Sequence, residues 1–332
     1  MILGCLGQSL TADEKALYAA ERPWGFILFA RNLAEPQQIR DLVASMRETI
    51  GRPDAPVLID QEGGRVQRIR EPMLPRYPSG ADLGEIYRRD RKQGLRAAWL
   101  MSRLHAFDLT RLGINVDCLP VLDVPVEGAS NVIGTRAYGF DPVTVGEMGQ
   151  AAAEGLKVGG MLPVMKHMPG HGRGMADSHH ELPVVTATLD ELKAHDFAPF
   201  VRLKDEVMGM SCHVVFTAVD PENPASTSRK VIDEVIRGHI GFNGLLISDD
   251  VSMNALAGSM AERAAAIIGA GGDIVLHCHG IMDEMKAVAA NVPVLSGAAL
   301  ERARAAQAAF GVADGADEAA LRAEFGAMLA VA

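Results

Sequence analysis

Residues 207–249 read VMGMSCHVVFTAVDPENPASTSRKVIDEVIRGHIGFNGLLISD. Both ends of this stretch, 207–213 and 244–249, are short and almost uninterruptedly apolar, the pattern of a strand buried on its two faces. Between them the period changes. Val231, Ile232, Val235 and Ile236 repeat on one helical face from a start near Ser228, and Gly238 or Gly241 supplies the stop. A buried strand, a helix and a second buried strand imply parallel pairing through a right-handed crossover.

The same unit recurs on either side. Apolar, β-branched runs occupy residues 2–6, 25–30, 56–60, 114–122, 161–166, 207–213, 244–249 and 273–277. The segments between them carry helix punctuation. Thr11 with Glu14, and Thr188 with Glu191, have the spacing of capping boxes. Pro36 stands at a first-turn position, with Ile39, Leu42, Val43, Met46 and Ile50 on one face and Gly51 as a stop. Asp141-Pro142 opens another helix that ends at Gly159-Gly160.

Eight alternating units in 332 residues predict the α/β class and a single (β/α)₈ TIM barrel over residues 1–332, with the Ala-rich segment 298–332 as closing helices. An open doubly wound sheet would usually carry a Gly-x-Gly-x-x-Gly turn after an early strand, and none fits. No linker, low-complexity tract or internal repeat divides the chain.

Composition narrows the function. With 48% hydrophobic residues the chain can bury a sizeable core, and its formal charge of −10 argues against a nucleic-acid footprint. No apolar run approaches the roughly 20 residues that span a bilayer. Residues 1–10 lack the basic start and small-residue cleavage site of an export signal. Cys5, Cys118, Cys212 and Cys278 are widely spaced, each in an apolar run, as reduced core cysteines are. A cytoplasmic protein acting on a small molecule, with no nucleic-acid or membrane partner, is expected.

In a barrel of this kind, active sites form at the C-terminal ends of the strands. Polar residues crowd there: Asp60-Gln61-Glu62, Lys166-His167, Cys212-His213 and Ser248-Asp249-Asp250. The densest signal is Lys166-His167-Met168-Pro169-Gly170-His171-Gly172, continuing through Asp177-Ser178-His179-His180 to Leu182-Pro183. It has three readings: metal ligation, acid–base chemistry, or a polar loop packed by its own glycines. The histidines lack a compact ligand spacing, and Lys166 would set a cation beside the metal. For acid–base work, the carboxylate in Asp177-x-His179 can fix the imidazole tautomer and favour its charged form. At Asp249-Asp250 the strand period turns one carboxylate to the barrel mouth and the other away, though either could cap the next helix. In residues 60–68, two glycines allow a tight turn among acids and arginines, a mixture suited to a hydroxyl-rich ligand; a surface salt-bridge loop is the alternative.

Residues 60–68 (DQEGGRVQR), 120–142 (PVLDV, then NVIGTRAYGFDP), 166–183 (KHMPGHG, then DSHHELP) and 241–253 (GFNGLLISDDVSM) together resemble glycoside hydrolase family 3. The likeness is to its bacterial branch of β-N-acetylglucosaminidases of peptidoglycan recycling. That resemblance implies Asp249 as nucleophile, His179 as general acid/base and Asp177 as its partner. It implies Asp60, Arg68, Arg136, Lys166 and His167 as the residues that hold the non-reducing sugar, with no metal and no cofactor. His213 is expected to line the pocket as well, without a family role. The implied substrate is N-acetylglucosamine linked β-1,4 to 1,6-anhydro-N-acetylmuramic acid, with or without peptide.

Departures from the family pattern are Met168, where phenylalanine is common, Arg173-Gly174-Met175, and residues 124–128, which lack an asparagine-rich look. The variable segment 173–176 is expected to meet the muramic carboxylate or peptide. Alternatives are a β-N-acetylglucosaminide phosphorylase, since neutral histidine would not repel phosphate, a non-catalytic sugar-binding barrel, and a metal-dependent barrel hydrolase.

Overall fold

The computed structural model describes residues 1–174 and 181–331. Its main sheet is built from β1 (Ile2–Leu3), β2 (Gly25–Leu28), β3 (Val57–Ile59), β4 (Val116–Asp117), β5 (Leu162–Pro163 and Met165–Met168), β6 (Met208–Ser211), β7 (Leu245–Asp250) and β8 (Ile274–His277). All pairings are parallel, and the order is β5-β4-β3-β2-β1-β8-β7-β6-β5. The sheet therefore begins and ends on the same segment. Leu162–Pro163 pairs with β4, and Met165–Met168 pairs with β6. The seam is stitched further where the Lys166 amide donates to the Pro120 carbonyl (3.0 Å) and the Leu122 amide to the Lys166 carbonyl (2.7 Å).

Each strand lies within an apolar run expected from the sequence, except that β5 continues to Met168 and β7 to Asp250. The run 114–122 forms only two strand residues, Val116–Asp117. Beyond them the chain reaches the cis Leu119–Pro120 peptide, and proline has no amide to continue the ladder.

Strand period two sorts the side chains. Ile2, Ile27, Leu58, Val116, Leu162, Val164, Met208, Met210, Leu245, Ile247, Ile274 and Leu276 form one buried cluster that fills the barrel. Their neighbours Leu3, Phe26, Leu28, Val57, Ile59 and Leu246 pack outward in the clusters under the helices. Burial on both faces is why the strands read as continuous apolar runs.

The helices follow their punctuation. Thr11–Glu14 and Thr188–Glu191 are reciprocal capping boxes. Helix Pro36–Ile50 buries Ile39, Leu42, Val43, Met46 and Ile50 and stops at Gly51, whose φ is 64°. Each such buried side chain contributes about 1.5–3 kcal/mol over an exposed one. Pro142–Val158 is capped by Asp141, and Val231–His239 is wound as a π-helix. Two helices at the tail, Gly297–Ala308 and Glu318–Val331, follow the last strand. Arg96–Glu324 (2.7 Å) and Arg103–Asp314 (2.5 Å) tie this tail back to helix Arg91–Thr110. The four cysteines are buried free thiols. Among the described residues, no helix is long and apolar enough to cross a membrane.

Candidate active site

The inward series on the strands continues past the apolar layers. After Leu58 comes Asp60; after Leu162 and Val164 comes Lys166; after Leu245 and Ile247 comes Asp249; after Ile274 and Leu276 comes Cys278. These four, with Arg65, Arg68, Arg136, His167 and His171, line a pocket of about 240 Å³ at the C-terminal end of the barrel. Six residues expected from the sequence (Asp60, Arg68, Arg136, Lys166, His167 and Asp249) thus meet around one cavity. Asp177 and His179 lie outside the described residues.

The cavity floor is a network of opposite charges. Lys166 Nζ donates to Asp60 Oδ1 (2.8 Å) and forms an ion pair with Glu62 Oε1 (2.6 Å), Arg68 pairs with Asp60 Oδ2 (2.8 Å), and Arg136 donates twice to Glu62 (2.8 Å each). Lys166 is only 1% exposed and Glu62 4%. Burial alone would push these carboxyls up, yet Arg136 and Lys166 outweigh it and hold Glu62 at about 2. Lys166, Arg68 and their hydrogen bonds hold Asp60 well below the usual range, and the same pairings raise Lys166 against its own burial. The turn that brings Glu62 under Arg136 requires glycine. Gly63 has φ 92°, and a Cβ there would sit 2.2 Å from the Pro78 carbonyl oxygen.

Asp123 forms a second anchor. Its carboxylate takes His167 Nδ1 (2.6 Å), the His167 amide (3.3 Å) and the His171 amide (2.7 Å). Against its burial, His167 and His171 hold Asp123 at about 2. A carboxylate at Nδ1 leaves Nε2 of His167 turned toward Arg136, 3.4 Å away.

Asp249 is partly exposed to the pocket; Asp250 also borders it, but its carboxylate is occupied by the Cys278 amide (3.1 Å), the Ser252 amide (3.1 Å) and the Ser252 hydroxyl (2.6 Å). Burial opposes the charge on Asp249, but His167 and His213 and the Asp250 amide at 2.8 Å keep its pKa below the ordinary value. An ionised carboxylate thus faces the cavity at neutral pH.

His213 is a correction. Instead of lining the pocket, it is fully buried behind Asp249, between Ser226 Oγ (2.7 Å from Nδ1) and the Asp250 carbonyl (3.0 Å from Nε2). A carbonyl can only accept, so Nε2 carries the proton and Nδ1 accepts from Ser226. Arg173 is another. The Arg173 Nε donates to buried Asp196 (2.6 Å), which anchors the loop. Glu62, Asp123 and His171 were missed as site residues, although each stood inside a motif already singled out.

One consequence is measurable without substrate. Glu62 and Asp123 are depressed from 4.5 and 3.8 to about 2, so they stabilise the fold fully above the ordinary carboxylate range. That contribution is lost as pH falls from about 4.5 to about 2 and amounts to a few kcal/mol, at roughly 1.4 kcal/mol per pKa unit. Denaturant midpoints should be level in this respect above pH 5 and drop steeply below 4. A midpoint that holds between pH 5 and pH 3 would contradict the network.

Residues 7–309 match the model of the glycosyl hydrolase family 3 N-terminal domain. The chain belongs to glycosyl hydrolase family 3. A β-hexosaminidase of Idiomarina loihiensis is 36% identical over 296 residues, 88% of each chain, and one of Chromobacterium violaceum is 39% identical over 277 residues, 82% of this chain and 76% of its own. The solved structure of NagZ from Neisseria gonorrhoeae in complex with N-trifluoroacetyl-D-glucosamine superposes with a TM-score of 0.85 at 32% identity, covering 100% of this chain and 96% of that one. As a family 3 enzyme, the chain is a glycosidase on a TIM barrel. Among the described residues, no group of three or more His, Cys, Asp or Glu is set to hold a metal ion.

Proposed function

We propose that this family 3 glycosidase is a retaining exo-β-N-acetylglucosaminidase that removes terminal N-acetylglucosamine from β-1,4-linked 1,6-anhydro-N-acetylmuramic acid, with or without peptide, in cytoplasmic cell-wall recycling. The observation that carries it is the pairing of an ionised Asp249 with a closed floor of Asp60, Arg68, Arg136, Lys166 and His167 in a cavity of about 240 Å³, the size of one sugar ring rather than a polymer groove. The relatives' names, β-hexosaminidase, and the N-acylglucosamine in the NagZ complex support the choice of sugar.

In this reading the Asp249 carboxylate attacks the anomeric carbon and forms a glycosyl ester as the bond to the leaving oxygen breaks. His179, oriented by Asp177, gives that oxygen its proton. The imidazole then takes a proton from water, which attacks the ester and frees both the sugar and Asp249. Asp60, at the end of β3, and Arg68, after the hairpin at 61–67, accept from and donate to sugar hydroxyls, while Lys166 and Arg136 hold the acids in place.

The test is a pair of assays. Nitrophenol should be released from the β-N-acetylglucosaminide and far more slowly from the β-glucoside, and muropeptide digests should lose N-acetylglucosamine by mass. A phosphorylase would instead yield N-acetylglucosamine-1-phosphate in phosphate buffer. His179→Ala should lose about 10²–10³-fold on the natural disaccharide, yet much less in the first step on nitrophenyl substrates, which need little proton donation. Asp177→Ala should follow the same split. Equal losses on both substrates would remove His179 from the acid role.

A further inference from the structure

We infer that Asp117, behind the wall of the cavity, is a positioning residue: through the buried Gln61 it fixes the places of Asp60, Glu62 and Arg68, and with them the affinity for the sugar. This rests on the β-N-acetylglucosaminidase reading. Val116 points into the barrel, so its neighbour Asp117 points outward, toward helix Arg91–Thr110. The backbone ladder between β3 and β4 ends at the pair Ile59–Asp117. Past that pair, Asp117 Oδ1 accepts the Gln61 amide (3.0 Å), a bond that sets where the chain goes after Asp60. The Asp117 carbonyl is engaged from the other side by the Val164 amide (3.0 Å), so the residue that holds Gln61 is itself held in the sheet.

Gln61 passes the constraint on. Its side chain is fully buried; Oε1 accepts the amides of Arg68 (3.0 Å) and Ile69 (3.1 Å), and Nε2 donates to the Ile69 carbonyl (2.9 Å). Gln61 is flanked by Asp60 and Glu62 in the chain and grips the backbone of the arginine that pairs with Asp60. The bond to Asp117 therefore fastens to β4 the start of the hairpin that carries all three groups. Asp117 is braced in turn. Its Oδ2 lies 3.3 Å from Nδ1 of His105, which is equally buried, and the Tyr77 ring stands edge-on to that imidazole with centroids 4.4 Å apart. The Tyr77 hydroxyl is fixed by Asp108 (2.5 Å) and by Arg322 (3.2 Å) from the tail helix. Burial raises the Asp117 carboxyl above its ordinary range against the pull of His105 and the Gln61 amide, so the acceptor oxygen matters here more than the charge.

The experiment is steady-state kinetics on nitrophenyl β-N-acetylglucosaminide, with thermal unfolding of each variant beside it. In Asp117→Ala, KM should rise about tenfold, the loss of roughly one good hydrogen bond to the sugar, and kcat should change less, because Asp249 stands on β7 on the far side of the ring from β3. Asp117→Asn keeps an oxygen for the Gln61 amide and can turn its NH₂ to His105, so KM should return to within about twofold of wild type. Should Asp117→Ala fail to fold, Gln61→Met probes the same link from its other end: the backbone bond to Asp117 stays, the Arg68 amide loses its acceptor, and KM should again rise several-fold. A role confined to stability lowers the melting temperature and the active fraction, hence the apparent kcat, but leaves KM where it was; an unchanged KM in the folded variants overturns the proposal. Failure of wild type to cleave the N-acetylglucosaminide would instead overturn the underlying activity, and the same comparison of KM on whichever nitrophenyl glycoside it does cleave would still decide the role of Asp117.

Discussion

Asp249→Ala should leave a folded protein with turnover reduced by about 10⁴-fold or more, as removal of a covalent nucleophile does. Asp249 contributes little to the fold, since among the described residues its carboxylate has one hydrogen bond, from the adjacent Asp250 amide. Asp250→Ala should behave in the opposite sense. It strips acceptors from the Cys278 and Ser252 amides and so destabilises the mouth of the barrel, while leaving the attacking group in place. Steady-state kinetics on the nitrophenyl substrate, beside thermal unfolding of both variants, separates the two. Mass spectrometry after a 5-fluoro N-acetylglucosaminyl fluoride would show one sugar on the peptide bearing Asp249. Activity retained in Asp249→Ala and lost in Asp250→Ala would transfer the role.

Lys166→Met should cost about 3–5 kcal/mol of stability, because it leaves Asp60 and Glu62 facing each other with one cation fewer. Methionine has the length but not the charge. With Lys166 gone, the Asp60 and Glu62 carboxyls should titrate higher, so the variant's deficit shrinks as the pH falls and protons replace the missing cation. Lys166→Arg tests shape against charge: it keeps the sign but cannot place one compact donor between two carboxylates without displacing neighbours, since the lysine it replaces is itself only 1% exposed. A Lys166→Met variant as stable as wild type at pH 7, by urea denaturation, would show that the pairs are not what holds the floor.

How much of this was legible beforehand follows from which forces act locally. Strand positions were readable because burial on both faces removes polar residues from 25–28 or 274–276, whatever their neighbours. Helix starts at Thr11 and Thr188 were readable because a capping box is complete within four residues. The inward direction of Asp249 followed from period two along β7. Pairing across the barrel was not readable: Glu62 meets Arg136 and Asp123 meets His167 only after strands distant in sequence are brought side by side. The placement of His213 failed for the same reason, since the Ser226 hydroxyl and Asp250 carbonyl that claim its ring come from two other segments. Helices Gly80–Arg89 and Arg91–Thr110 went unnamed, although Ser79 with Asp82 marks one start as clearly as the boxes that were used.

Closure of the ring on a single segment has a consequence for how such an enzyme can change. Residues 162–168 are the clasp of the barrel and also set Lys166 and His167 in the wall of the pocket, so any alteration there trades the shape of the pocket against the integrity of the whole ring. Retuning, whether by natural drift or by a protein engineer, has its freedom elsewhere, in the loop at 129–134, which hangs from the ring without fastening it.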